Sequence, residues 1–251
     1  MSRRPQLVPG EKPRVIAHRG ASAYLPENTP SAFALAIDQG ADMIETDLHL
    51  TRDRAVAISH EADLGHLGGE GEILDLDFAG LRELDAGDGQ AVPSLEEVLD
   101  QFASRIPFNL EIKRSQGGLY EGIEKHCWEA VCARGIESQT LFSSFFDPVL
   151  AELRRQSDTV RTALLLSPEW PKSPLERAQE LGAEAINPHV SMVDPSMVER
   201  AHEAGLAVYV YTVDPEDEMD RVLDMGVDGI FTNRPDVLRG VLDRRASAQL
   251  A

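Results

Sequence analysis

At 251 residues, with 42% hydrophobic and 27% charged side chains, the chain has the makeup of one globular domain with a sizeable core, and it holds no run of about eighteen apolar residues that could span a bilayer. Its formal net charge of −19 excludes a general nucleic-acid binder, which gains affinity by neutralising phosphates with Lys and Arg, and it opposes docking on an anionic membrane. An anionic ligand would need a local positive site to overcome this field at close range.

The first fourteen residues carry Arg3, Arg4 and Lys12 with no apolar segment behind them. They do not read as a secretory signal, and a cytoplasmic protein is expected. A first apolar run at 15–18 reads as a strand. Thr29-Pro30 then marks a helix start, an oxygen cap followed by a preset first φ, and Gly40 marks its end. A second strand is expected at 43–48 and an extra one at 55–60. Residues 61–90, rich in Gly, Asp and Leu without sustained periodicity, read as a small insertion over one end of the fold. Ser94-Leu95-Glu96-Glu97 forms a capping box, after which Leu95, Val98, Leu99 and Phe102 recur at helical spacing.

Strands are expected next at 108–113, 140–144, 160–166, 185–187, 207–212 and 229–232. Asp147-Pro148, Ser173-Pro174, Asp194-Pro195 and Asp214-Pro215 mark the intervening helix starts, and Gly135, Gly182, Gly205 and Gly226 the helix ends. Cys127 and Cys132 lie five apart in a helical pattern, without the spacing of a zinc site or redox motif, and read as helix residues. Eight strands alternating with helices in one chain of this length predict a (β/α)8 barrel spanning 1–251, with its core at about 14–243 and the insertion between the second and third barrel strands. A doubly wound open sheet is the alternative, but no Gly-rich dinucleotide or P-loop pattern supports it.

Four short segments end these strands: His18-Arg19-Gly20, Glu45-Thr46-Asp47, His60-Glu61 and Glu111-Ile112-Lys113. Residues two apart on a strand share a face, so Glu45 pairs with Asp47 and Glu111 with Lys113 on the barrel interior. Three clustered carboxylates call for a cation, and an oxygen-only set selects Mg2+ or Ca2+ over zinc. His18 and His60 titrate near neutrality and suit a general acid and base. Arg19 offers a planar fork and Lys113 a point charge for phosphate oxygens. Solvated acids and core or surface histidines are the plainer reading of each residue taken alone. His49, His66, His126, His189 and His202 receive no catalytic role, and His126 and His202 are expected on the outer faces of helices.

With these residues in place, the chain resembles the glycerophosphodiester phosphodiesterase family. The shared stretches are Ala17-His18-Arg19-Gly20, Pro26-Glu27-Asn28-Thr29, the run from Ile44 to Asp53, Ser59-His60, Leu84-Asp85-Ala86-Gly87, the run from Val92 to Glu97, Asn109-Leu110-Glu111-Ile112-Lys113 and Val210-Tyr211-Thr212-Val213. The resemblance implies a barrel, His18 and His60 as the acid/base pair, Glu45, Asp47 and Glu111 as metal ligands, and Arg19 and Lys113 on phosphate. It implies cleavage of a small glycerophosphodiester to glycerol 3-phosphate and an alcohol with Mg2+ or Ca2+. After His60 the family usually has Asp and then Leu-x-Arg-Thr-Thr, where this chain reads Glu61-Ala62-Asp63-Leu64-Gly65-His66-Leu67. A lysophospholipase D or sphingomyelinase D-like activity uses the same residues, and a barrel that binds phosphodiesters without turnover is the non-enzymatic alternative.

Overall fold

The computed structural model describes residues 12–169 and 173–249. The amino-terminal reading above falls mostly outside these residues. In chain order the elements are β1 (Arg14–His18), α1 (Pro30–Asp38), β2 (Met43–Leu50), β3 (Val56–Ile58), α2 (Phe78–Leu81), α3 (Leu95–Phe102), β4 (Phe108–Ile112) and α4 (Ile123–Cys132). They continue with β5 (Thr140–Ser144), α5 (Asp147–Gln156), β6 (Thr162–Leu166), α6 (Pro174–Glu180), β7 (Ala185–Pro188), α7 (Pro195–Glu203), β8 (Ala207–Val210), α8 (Glu216–Leu223), β9 (Gly229–Thr232) and α9 (Pro235–Gln249).

The strands run in the order β1-β9-β8-β7-β6-β5-β4-β2-β3, and a further parallel pairing of β1 with β2 closes the ring. Eight parallel strands therefore form the barrel, as the alternation predicts. β3 is the exception: it pairs antiparallel with the end of β2, Leu48 opposite Ile58 and Leu50 opposite Val56.

Side-chain alternation sorts the strand residues into two sets. Val15, Ile44, Leu110, Phe142, Leu164, Ile186, Val208 and Ile230 point outward into one large apolar layer that also takes Phe33, Leu99, Phe102 and Leu150 from the helices. Ile16, Met43, Leu141, Ala163, Ala185, Ala207, Tyr209 and Phe231 meet inside the barrel. That plug comes from seven of the eight parallel strands. Towards the carboxyl ends, the inward positions of four strands turn polar, His18, Glu45, Asn109 and Ser143, while Leu165 on β6 stays apolar.

Several helix starts differ from expectation. Thr29 and Asp194 do cap α1 and α7, accepting the N–H groups of Ala32 at 3.3 Å and Met197 at 2.8 Å, and Ser94 and Glu97 form the capping box of α3. Asp147, however, lies inside α5 and grips Arg177 through two bonds of 3.1 and 2.5 Å. Ser173 makes no capping bond, and α8 begins after Pro215, leaving Asp214 free for the barrel rim. An acid before a proline has both a cap and a nearby cation within reach, and the tertiary partner decides between them. Cys127 and Cys132 are both on α4, the first buried and the second exposed.

Residues 61–90 fold as two short 3-10 turns (Leu64–Leu67 and Ile73–Asp75) and α2. Leu64, Leu67, Ile73 and Leu81 pack with Ala57 and Val92 into a small apolar cluster separate from the barrel layers. Gly87, at φ +113°, passes so close to Pro26 that an added Cβ would stand 2.6 Å from the proline Cβ. Only glycine lets this segment lie against the loop after β1.

Candidate active site at the carboxyl rim of the barrel

β2 continues to Leu50, past the end of its neighbours, turns through Thr51–Ala55, and returns as β3. The turn is held by Thr51 N–H on the Ala55 carbonyl at 3.0 Å and by Thr51 Oγ1 donating to Asp53 at 2.6 Å. This doubling back delivers His60 to the rim beside Asp47, the Ser59 N–H bonding the Asp47 carbonyl at 3.1 Å. His49 fixes the delivery, with Nε2 3.2 Å from the His60 carbonyl and Nδ1 2.6 Å from the Tyr120 hydroxyl. After β1 the chain turns sharply: Arg19 sits at φ +57° and Gly20 at φ +85°. A Cβ on Gly20 would meet the Ala32 backbone at 2.7 Å, so glycine is required. A non-glycine residue in the left-handed region costs about 1–2 kcal/mol, which the bonds of Arg19 offset.

Glu45, Asp47 and Glu111 come together as their strand spacing predicts, with one carboxylate oxygen from each lying within 4.8 Å of the others. They are 3%, 1% and 8% exposed. Glu45 Oε2 accepts the Arg19 backbone N–H at 3.0 Å, while its Oε1 is buried with no hydrogen-bond partner. Asp47 Oδ2 accepts Asn28 Nδ2 at 2.9 Å and faces Arg19 Nε at 3.2 Å; its Oδ1 faces Lys113 Nζ at 3.3 Å. Lys113 Nζ also donates to Glu111 Oε1 at 2.9 Å. Both cations thus bridge to the acids, and Arg19 is further held by Glu27 at 3.0 Å.

Three buried carboxylates against two cations leave the centre short of positive charge. Burial pushes the Glu45 carboxyl well above the usual carboxylate range, and the charges of Asp47 and Glu111 add to this. Burial raises Glu111 too, against the pull of Lys113. At Asp47 burial acts upward as well, but Lys113 and Arg19 prevail and hold that carboxyl far below its ordinary value. A divalent cation would answer both the raised carboxyls and the unpartnered Glu45 oxygen. The all-oxygen donor set fits a hard ion.

His18 and His60 line the same cavity of about 320 Å³ with Arg19, Glu45, Glu111 and Lys113. Burial, with Arg19 second, lowers His18 to about 4 despite its bond to Asn233. Burial lowers His60 to about 3, Asp47 opposing. His60 Nδ1 lies 2.9 Å from the more exposed Glu61. All seven residues singled out from the sequence are therefore in one place.

Other residues of the site were given no role by the sequence reading. Asn28 ties Asp47 to Thr46, whose hydroxyl donates to Asn28 Oδ1 at 2.7 Å. Asn109 and Ser143, bonded at 2.7 Å, form part of the cavity floor. Asn109 precedes Glu111 by two on one strand, a signal that was available. Phe145, His189 and Tyr211 form the far wall, their rings edge to face at 6.2 and 5.5 Å. His66 bonds Ser59 at 3.0 Å and lines a second cavity of about 570 Å³ that also reaches His60. His126 and His202 are on helices but half-buried, His202 pairing with Asp228 at 2.8 Å.

A closed (β/α)8 barrel with a buried carboxylate centre and two histidines at its carboxyl rim defines a class of barrel hydrolase built for a metal-assisted reaction. Residues 18–237 match the glycerophosphoryl diester phosphodiesterase family. The chain belongs to that family. It is similar to the glycerophosphodiester phosphodiesterase of Caldanaerobacter subterraneus subsp. tengcongensis, 33% identical over 236 residues covering 90% of this chain and 96% of that one. It is similar also to a Bacillus subtilis glycerophosphodiester phosphodiesterase, 30% identical over 260 residues covering 94% and 88%. Among solved structures, an Oleispira antarctica phosphodiesterase in complex with the product sn-glycerol-3-phosphate superposes with a TM-score of 0.86 at 28% identity, covering 92% of this chain and 97% of that one.

Proposed function

We propose that the protein hydrolyses small glycerophosphodiesters to sn-glycerol 3-phosphate and an alcohol, with Mg2+ or Ca2+ held by Glu45, Asp47 and Glu111. The observation that carries this reading is the buried carboxylate trio, with an unpartnered oxygen at Glu45, sharing one cavity with two histidines and two cations. The metal, when bound, supplies Lewis-acid polarisation of a phosphoryl oxygen and cancels charge developing there.

The side chains do the rest. Arg19 and Lys113 orient the phosphate group and stabilise its negative charge in a site largely shielded from water. One imidazole removes the proton from the attacking hydroxyl and the other protonates the departing alcohol oxygen; water as the attacker gives glycerol 3-phosphate directly, whereas the neighbouring glycerol hydroxyl gives a cyclic phosphate first, which water then opens. Both rings are neutral in the free protein, and an anionic phosphate beside them favours the protonated form the donor needs. Residues 61–90 act as a cover over the rim of a single barrel, and the cavity they share with His60 takes the alcohol portion.

The test is release of glycerol 3-phosphate from glycerophosphocholine, glycerophosphoethanolamine and glycerophosphoglycerol with each metal. Binding without release would establish a non-catalytic barrel, and turnover of a long-chain lysolipid alone would establish a lysophospholipase D. Separate His18→Ala and His60→Ala variants should each lose about two orders of magnitude or more in kcat while still binding metal. Glu45→Gln should instead weaken metal affinity, read by calorimetry.

A further inference from the structure

At the end of β1, His18, Asn233 and Asp214 form a directed chain of hydrogen bonds. His18 Nδ1 lies 2.7 Å from Asn233 Oδ1, and Asn233 Nδ2 donates to Asp214 Oδ2 at 2.7 Å. Asp214 Oδ1 accepts the Asn233 backbone N–H at 2.8 Å and the Thr232 hydroxyl at 2.9 Å. The Ser22 hydroxyl lies 2.7 Å from the His18 carbonyl and 2.8 Å from the same Asn233 Oδ1, and its single hydrogen serves one of the two at a time.

An asparagine amide can be turned end for end, and its neighbours decide which way it points. Here a carboxylate oxygen, which only accepts, faces one end, so that end is the NH2 group. The other end is the carbonyl oxygen, which also only accepts. His18 Nδ1 must then be the donor. Its ring carries the hydrogen on Nδ1, and Nε2 keeps the lone pair.

We propose that Asn233 and Asp214 are positioning residues that lock His18 in the Nδ1–H tautomer, making His18 Nε2 the proton acceptor of the reaction. This rests on the function proposed above. Nε2 takes the proton of the attacking hydroxyl as its oxygen bonds to phosphorus; the bond from phosphorus to the alcohol oxygen breaks, and that oxygen receives a proton from His60. The two histidines differ in their orienting partners, a neutral amide for His18 and the Glu61 carboxylate for His60 at 2.9 Å. A carboxylate supports an imidazolium and an amide carbonyl does so less. With Nε2 of His18 fixed as an acceptor, the proton for the departing oxygen falls to His60.

The test measures the imidazole nitrogen shifts of His18 by long-range 15N–1H NMR in the full-length protein, alongside steady-state kinetics. Wild type should show a protonated Nδ1 and an unprotonated Nε2. Asn233→Leu should lose that preference and lose tenfold to a hundredfold in kcat with KM little changed, the usual scale for removing an orienting partner. The double variant Asn233→Asp with Asp214→Asn exchanges amide and carboxylate while keeping every bond complementary, and it should recover the tautomer and bring kcat within tenfold of wild type. An Nε2–H tautomer in wild type, or a tautomer indifferent to Asn233→Leu, would overturn the proposal. A wild type with the expected tautomer that releases no glycerol 3-phosphate would instead overturn the functional reading beneath it.

Discussion

His18 and His60 sit in a site where burial, not a partner, dominates their ionisation. A histidine lowered from its ordinary value to about 4, as His18 is, binds fewer protons folded than unfolded between those two values. Its contribution to stability is present above the unfolded value of about 6.5 and is lost as pH falls towards 4. The unfolding free energy of wild type relative to His18→Gln should therefore decrease between pH 6.5 and pH 4, measured by urea denaturation at each pH. An increase over that interval would mean that the ring is held charged in the fold. Lys113 is the other residue whose removal is informative, because it spans Asp47 and Glu111 at 3.3 and 2.9 Å. Lys113→Met leaves two buried acids without their shared cation. We expect a loss of about 3–5 kcal/mol in the metal-free protein, the scale for breaking one partner of a buried pair, with Mg2+ or Ca2+ restoring part of it in a thermal-shift assay.

At the scale of elements, the β2–β3 hairpin and residues 61–90 bring His60 to the rim on the same side as Asp47. The expected extra strand at 55–60 shortens to Val56–Ile58, and its antiparallel pairing with β2 is what turns His60 inward. The small apolar cluster around Leu64 and Ile73 supports that segment, with Leu64 1% exposed. Leu64→Ala should cost about 2–5 kcal/mol of local packing. Because the cluster is separate from the barrel layers, the loss should appear as faster amide exchange in residues 61–90 and a raised KM, with exchange in the barrel strands unchanged. Uniform loss of protection would show the segment to be one cooperative unit with the barrel. The contrast between Asp194, which caps α7, and Asp147, which binds Arg177 instead, shows why local motifs locate helices better than they assign side-chain partners.

For the molecule as a whole, the charge of −19 opposes the approach of an anionic phosphodiester, and on the proposed reading Arg19 and Lys113 overcome it at close range. Salt screens that repulsion over about 8–10 Å at physiological ionic strength. Raising NaCl from about 10 mM to about 150 mM should therefore increase kcat/KM with glycerophosphoglycerol by a few fold, at fixed metal concentration. A steep fall would mean that the local cations, not the global field, govern the encounter. No helix among the described residues is long and apolar enough to cross a membrane.

Strand number, the parallel alternation and the pairing of Glu45 with Asp47 and of Glu111 with Lys113 were determined by the sequence alone, because hydrophobic period and two-residue spacing are local properties. The placement of Asn28, Asn109 and Asn233 was decided only by the tertiary structure. Each is a neutral amide whose significance lies in the group it meets on a neighbouring strand, Asp47, Ser143 or His18, and although spacing puts Asn109 on the face of Glu111, nothing in the chain marks the partner. The direction of the His18 hydrogen bond belongs to the same category. It follows from Asp214, which the sequence offered as a helix cap and the closed barrel put behind Asn233, since one oxygen atom satisfies whichever donor the fold brings to it.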